Sequence, residues 1–202
     1  MEGESSKPFS DELEAWLKGK KPKTLLSLDK VFAEKSFAVL FIILLALPAL
    51  PAPTGGISHV FEAIAIIIGF QVIIGRRSLW LPKRWRRIGV GKTVQNKVMP
   101  TLVRLIRWFE KYSRPRLTRL MHSGLLMRFF GVVVIVFSAV AAVAIPFSGL
   151  DTLPAMGVVL MSLAVILEDF LLFIAGLIVG LAGVALVFIL GKATLSLLFH
   201  FF

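Results

Sequence analysis

Positions 171–190, LLFIAGLIVGLAGVALVFIL, run for twenty residues without a charged or hydrogen-bonding side chain. At ~1.5 Å per residue, a helix of that length crosses the ~30 Å hydrocarbon layer of a bilayer. Composition extends the inference to the whole chain: 57% of the 202 residues are hydrophobic, 17% are charged, and the mean hydropathy is +0.85. One soluble core of about 200 residues cannot hide that much apolar surface. The expected class is an all-α integral membrane protein.

The net charge of +11 suggests nucleic acid until its distribution is considered. Residues 1–36 carry seven Lys/Arg and seven Asp/Glu, residues 76–128 carry fifteen Lys/Arg against Glu110, and the last 74 residues have only Lys192. Basic residues therefore flank apolar segments, so no nucleic-acid partner is expected, and the positive-inside rule places both the N-terminal arm and the 76–128 loop in the cytoplasm. The arm is polar for its first 30 residues or so, unlike a secretory signal. There is no cysteine, which excludes disulfides and thiolate chemistry.

The block between the two basic regions must therefore enter the membrane and return. Its first arm, FAVLFIILLALPAL (37–50), is short for a span and already holds Pro48. PAPTGG follows, with Pro51, Pro53, Gly55 and Gly56, and the helix resumes as ISHVFEAIAIIIGFQVIIG (57–75). The break reads either as an external turn or as a re-entrant tip at membrane depth, where irregular backbone needs protein or water to satisfy it. The short first arm favours the re-entrant reading.

The pattern recurs. FFGVVVIVFSAVAAVAIPF (129–147) is apolar, IPFSGLDTLPAMG breaks it with Pro146, Gly149 and Pro154, and VVLMSLAVILEDF (158–170) follows. Each copy is preceded by an amphipathic stretch, residues 25–36 and 102–120, which reads as a helix in the headgroup plane against anionic lipid. Two broken hairpins form an internal repeat, for which an inverted relation, as in transporters, is one reading. The organisation is then an arm (1–36), a first broken hairpin (37–75), a basic loop (76–128), a second broken hairpin (129–170) and a final transmembrane helix (171–202).

Ionisable groups inside apolar blocks mark candidate sites, since each costs about 2.5–3.5 kcal/mol to insert. Glu62, Asp151, Glu168 and Asp169 qualify, with Gln71 and His59 as polar companions. Glu62 also suits the positive end of a helix dipole, and Asp151 a turn or N-cap. Adjacent Glu168 and Asp169 repel unless a cation or proton is near, and they face a turn with no Gly or Pro to make it. Arg76, Arg77, Trp80, Arg114 and Arg116 are expected as interfacial anchors.

Two further motifs are weighed. GVGKT (89–93) lacks the first glycine and the preceding strand of a P-loop, so nucleotide binding is rejected. Gly176, Gly180 and Gly183 give a small-residue face that serves either a dimer or internal packing. No metal-ligand cluster, cofactor motif or nucleophile with a base is present, so no enzyme, cofactor or metal is expected.

EKSFAVLFIILLALPALPAPTGG, GFQVIIGRRSLWLP, WFEKYSRPRL and AIPFSGLDTLPAMGVVLMSLAVILED together resemble the ExoD family of bacterial exopolysaccharide-synthesis membrane proteins. The resemblance covers nearly the whole chain and implies a bacterial inner-membrane location; Arg76, Arg77, Trp80, Pro82, Arg114 and Pro115 match its pattern. Two functions are compatible with it. One is a small transporter or channel-like protein, with Glu62, Gln71, Glu168 and Asp169 around a midplane site for a solute, an ion or a lipid-linked headgroup; a homodimer is expected under either function. The other is a non-transporting adaptor for polysaccharide assembly, acting through its basic cytoplasmic helices.

Overall fold

The computed structural model describes residues 8–19, 23, 24, 27, 31, 32, 35–50, 57–76, 80, 96, 99–114, 117–144 and 149–201, with side chains as far as Lys192. Among them are eight helices: α1 (Phe9–Lys18), α2 (Lys35–Leu45), α3 (Ile57–Ile73), α4 (Met99–Glu110), α5 (Thr118–Met121), α6 (Gly124–Val143), α7 (Thr152–Leu167) and α8 (Phe170–Phe201).

α2, α3, α6, α7 and α8 are apolar nearly all round, as helices facing lipid or one another must be. α6 and the Phe170–Lys192 part of α8 are long and apolar enough to cross a membrane, and only 22% of the most apolar window of α8 is buried. Outward-facing Ile67 and Phe70 on α3 and Leu181, Phe188 and Ile189 on α8 add to an apolar exterior.

Both hairpins, α2–α3 and α6–α7, open at the same end of the bundle. Lys35 Nζ, at the start of α2, lies 2.9 Å from Glu168 Oε1, at the end of α7. A Cβ added to Gly75, just past α3, would lie 3.6 Å from Arg128 Nη2 on the first turns of α6. With Lys35, Arg76, Arg114 and Arg128 gathered there, this is the basic end. Any symmetry between the hairpins therefore runs along the helices, and the inverted relation does not fit. The packing follows that pattern: α2 lies on α7 and α3 on α6, each first arm against the other hairpin's second arm.

Glycines set the close crossings. α3 and α6 meet where a Cβ on Gly131 would come 3.0 Å from the Gly69 carbonyl oxygen. α7 and α8 meet where a Cβ on Gly157 would come 2.5 Å from Gly180 Cα and 2.9 Å from the Gly176 oxygen. The small-residue face of α8 is thus used within the chain.

The arms are unequal. α2 has 11 residues, about 17 Å, roughly half the hydrocarbon thickness, and a turn at 46–49 that includes buried Pro48 closes it. α6 has 20 residues, about 30 Å, long enough for the full thickness. Pro51, Pro53, Gly55, Gly56 and Pro146 lie outside the described residues. Gly149 does turn the chain, with φ +68, which a glycine adopts without strain. Pro154, expected in the break, is instead buried in the first turn of α7 against Gly183, where its missing N–H has no intrahelical partner to lose.

The N-terminal arm contains a helix that its polarity hides. α1 buries Phe9 and Leu13 against α4. α4 turns Met99, Leu102, Val103 and Ile106 inward at helical spacing and keeps Arg104, Arg107 and Trp108 outside. The 102–120 stretch is therefore not one helix: α4 ends at Glu110 and α5 follows a turn later. Most of the 25–36 stretch lies outside the described residues.

Candidate functional site

The acids expected around one midplane site fall into two separate groups. Glu168 and Asp169 form the α7–α8 turn at the basic end. Glu168 makes that turn without glycine by adopting φ +56 itself. Its carboxylate meets Lys35 at 2.9 Å and His122 Nε2 at 3.5 Å. Burial opposes its charge, but hydrogen bonding to Lys35, the Lys35 charge and His122 outweigh burial and hold the carboxyl below its ordinary range.

Asp169 caps α8: Oδ1 accepts from Leu171 N at 3.0 Å and Leu172 N at 3.5 Å. Oδ2 accepts from Ser113 Oγ at 3.0 Å and Arg114 N at 3.3 Å. One carboxylate thus starts a membrane helix and fastens the chain after α4 to it. The expected repulsion between these two acids is resolved by separate partners.

Gln71 also belongs to the basic end. Its Oε1 accepts from Trp80 N at 2.8 Å, folding the chain after α3 back on the helix. Arg76 N bonds Gln71 O at 3.1 Å and Gly75 N bonds Val72 O at 2.9 Å, a Schellman closure that Gly75 permits with φ +77. The Arg76 guanidinium stacks on Trp80 at 5.9 Å from the ring centroid. Arg77, Pro82, Pro115, Arg116 and the 89–93 stretch lie outside the described residues.

Glu62 stands apart, in the half of α3 near the break. It is 0% exposed. Oε2 lies 3.1 Å from His59 Nδ1, while Oε1 has no hydrogen-bond partner among the described residues. Asp151 occupies the N-cap position of α7, yet its side chain makes no capping bond. One heptad from the Gly69–Gly131 crossing, toward the break, come Glu62 on α3 and Ser138 on α6. Ser138 is buried, and its Oγ also lacks a partner among the described residues. No group of three or more His, Cys, Asp or Glu side chains gathers for a metal among the described residues.

Sequence reading missed Lys35, His122 and Arg128 as partners of the turn and of Gly75. Their only signal is nearness to segment ends, which many loop cations share.

The fold and these sites define an all-helical protein with two candidate membrane spans and a polar junction at one end. The family is identified by sequence comparison: residues 9–189 match the family described as exopolysaccharide synthesis, ExoD. The chain belongs to the ExoD family. It is similar to Protein ExoD of Rhizobium meliloti, at 31% identity over 99% of this chain and 85% of the relative. It is also similar to an uncharacterised protein of Synechocystis, at 28% identity over 84% of this chain and 76% of the relative. No solved structure matches.

Proposed function

We propose that this ExoD-family protein is a small, non-catalytic transport protein of the bacterial inner membrane, in which Glu62 binds and releases a proton or cation coupled to solute movement. Glu62 carries the reading: it is completely buried on an apolar helix, one oxygen is held by His59, and the other has no partner among the described residues. A buried carboxylate is unfavourable unless a cation or proton neutralises it. Three features support access to it: the half-length α2, the following Pro/Gly break, and an unpartnered serine on the facing helix. The basic end, with its Lys/Arg-rich loop, is the cytoplasmic side under this reading.

The test uses full-length protein in proteoliposomes containing a pH-sensitive dye. Wild-type protein passes an imposed cation or proton gradient, and Glu62→Gln, which keeps the size and removes the charge, abolishes the signal. Equal fluxes from both proteins would overturn the assignment. The adaptor reading has one observation in its favour: α1 and α4 form a charged layer at the basic end with Arg104 and Trp108 exposed. An adaptor predicts no flux from wild-type protein, with intact binding to other membrane proteins.

A further inference from the structure

Between the end of α3 and the start of α6 lies a cavity of about 250 Å³, whose lining combines Arg76, Arg128 and His122 with Phe37, Val72 and Met127. Among the described residues, neither arginine has a carboxylate partner. The acid paired with His122, Glu168, is also engaged by Lys35. Two guanidinium groups around one cavity repel each other, and an anion between them removes that repulsion. Guanidinium forks suit phosphate oxygens, which accept two parallel hydrogen bonds each.

The position and size narrow the ligand. Trp80, stacked on Arg76, marks an interfacial level. Phe37, Val72 and Met127 come from apolar helices, so the lining suits a ligand that carries both charge and hydrocarbon. The volume falls below the ~300 Å³ floor of ordinary small-molecule pockets, enough for a headgroup and too little for a nucleotide sugar.

We propose that this cavity binds the phosphate of an anionic membrane phospholipid, with Arg76 and Arg128 as its direct ligands and His122 at its edge. Gly75 is part of the construction. Its left-handed backbone, φ +77, ends α3 just before Arg76, and the Arg128 guanidinium lies beside it. This site is separate from Glu62 and does not depend on the transport reading.

The experiment measures thermal unfolding of the full chain in detergent during titration with dihexanoyl phosphatidylglycerol, phosphate-free dihexanoylglycerol or inorganic phosphate. Phosphatidylglycerol is expected to raise Tm saturably, and dihexanoylglycerol to leave it unchanged. Arg76→Gln with Arg128→Gln weakens the apparent affinity at least about tenfold, Arg76→Lys with Arg128→Lys recovers part of it, and Arg104→Gln on the exposed face of α4 changes nothing. Should the Gln pair fail to fold, the Lys pair carries the test, with weakening of several-fold expected. Two results overturn the proposal: equal stabilisation by dihexanoylglycerol, or equal weakening by Arg104→Gln. Inorganic phosphate that binds as tightly as the lipid and leaves no further lipid effect overturns the lipid source and assigns the cavity to free phosphate.

Discussion

Glu168 takes a backbone conformation that costs a non-glycine residue about 1–2 kcal/mol. The Lys35 ion pair, His122 beside it and the adjacent cap at Asp169 offset that cost. Removing the charge while keeping the shape, by Glu168→Gln, is expected to lower stability by about 0.5–1 kcal/mol, since the pairs are partly exposed. The pH dependence follows from the depressed carboxyl. A group whose folded pKa lies below its unfolded value contributes stability above the unfolded value, 4.5 for Glu168, and loses it as pH falls through the folded one. Unfolding curves of wild type and Glu168→Gln should therefore differ at neutral pH and converge below pH 4.5; a constant difference down to strong acid would contradict the pairing. Asp169 is held differently, by four hydrogen bonds, so Asp169→Ala should cost more, about 1–2 kcal/mol, through loss of the α8 cap. Sequence reading found both acids and named the difficulty of their turn. It missed that Glu168 itself would supply the left-handed residue, because the partners that stabilise it, Lys35 and His122, are remote in the chain.

At the scale of elements, α7 and α8 approach through backbone. A Cβ on Gly157 would meet Gly180 Cα at 2.5 Å, where no side chain can give way, so Gly157→Ala must separate the helices. A loss of about 1–3 kcal/mol is expected from thermal unfolding in detergent. Gly191, on the same helix α8 as Gly180, has nothing within 4 Å of its Cβ position, so Gly191→Ala should be neutral or stabilising by up to about 1 kcal/mol. The contrast separates helix propensity from packing. α1 is joined to α4 by charge as well as by Phe9 and Leu13. Arg107 pairs with Glu14 at 2.6 Å and with Asp11 at 3.0 Å, and Glu110 accepts from Ser10 N at 3.0 Å. Lys18 and Arg107 hold the Glu14 carboxyl down to about 2. The Glu14 pairs should persist until pH falls from 4.5 toward about 2, and Arg107→Gln should speed amide exchange in α1 at neutral pH, the more so at low ionic strength.

For the whole molecule, the arrangement of both hairpins predicts sidedness. Because the chain has no native cysteine, single substitutions report without background. Lys35→Cys, Ser113→Cys and Gly124→Cys should label from one face of the membrane, and Gly149→Cys from the other. Labelling of Lys35→Cys and Gly124→Cys from opposite faces would break the architecture. A double variant, Lys35→Cys with Glu168→Cys, should cross-link through a bifunctional thiol reagent whose spacer replaces the two long side chains, since their tips are in contact.

Apolar length and charge distribution are properties of the chain alone, and they determined the all-helical class and the candidate membrane spans, while the quoted motifs carried the family. The amphipathic character of α4 was legible for the same reason: a single helix face carries its own period. Only the tertiary structure decided which acids share a site, because that depends on which helix ends coincide. It sent Glu168, Asp169 and Gln71 to the basic end, left Glu62 buried beside His59, and put the glycine face of α8 to use inside the chain. α1 escaped sequence reading because its apolar face is narrow and acquires meaning only against α4. Sequence records what each segment prefers to face, whereas packing decides what it meets.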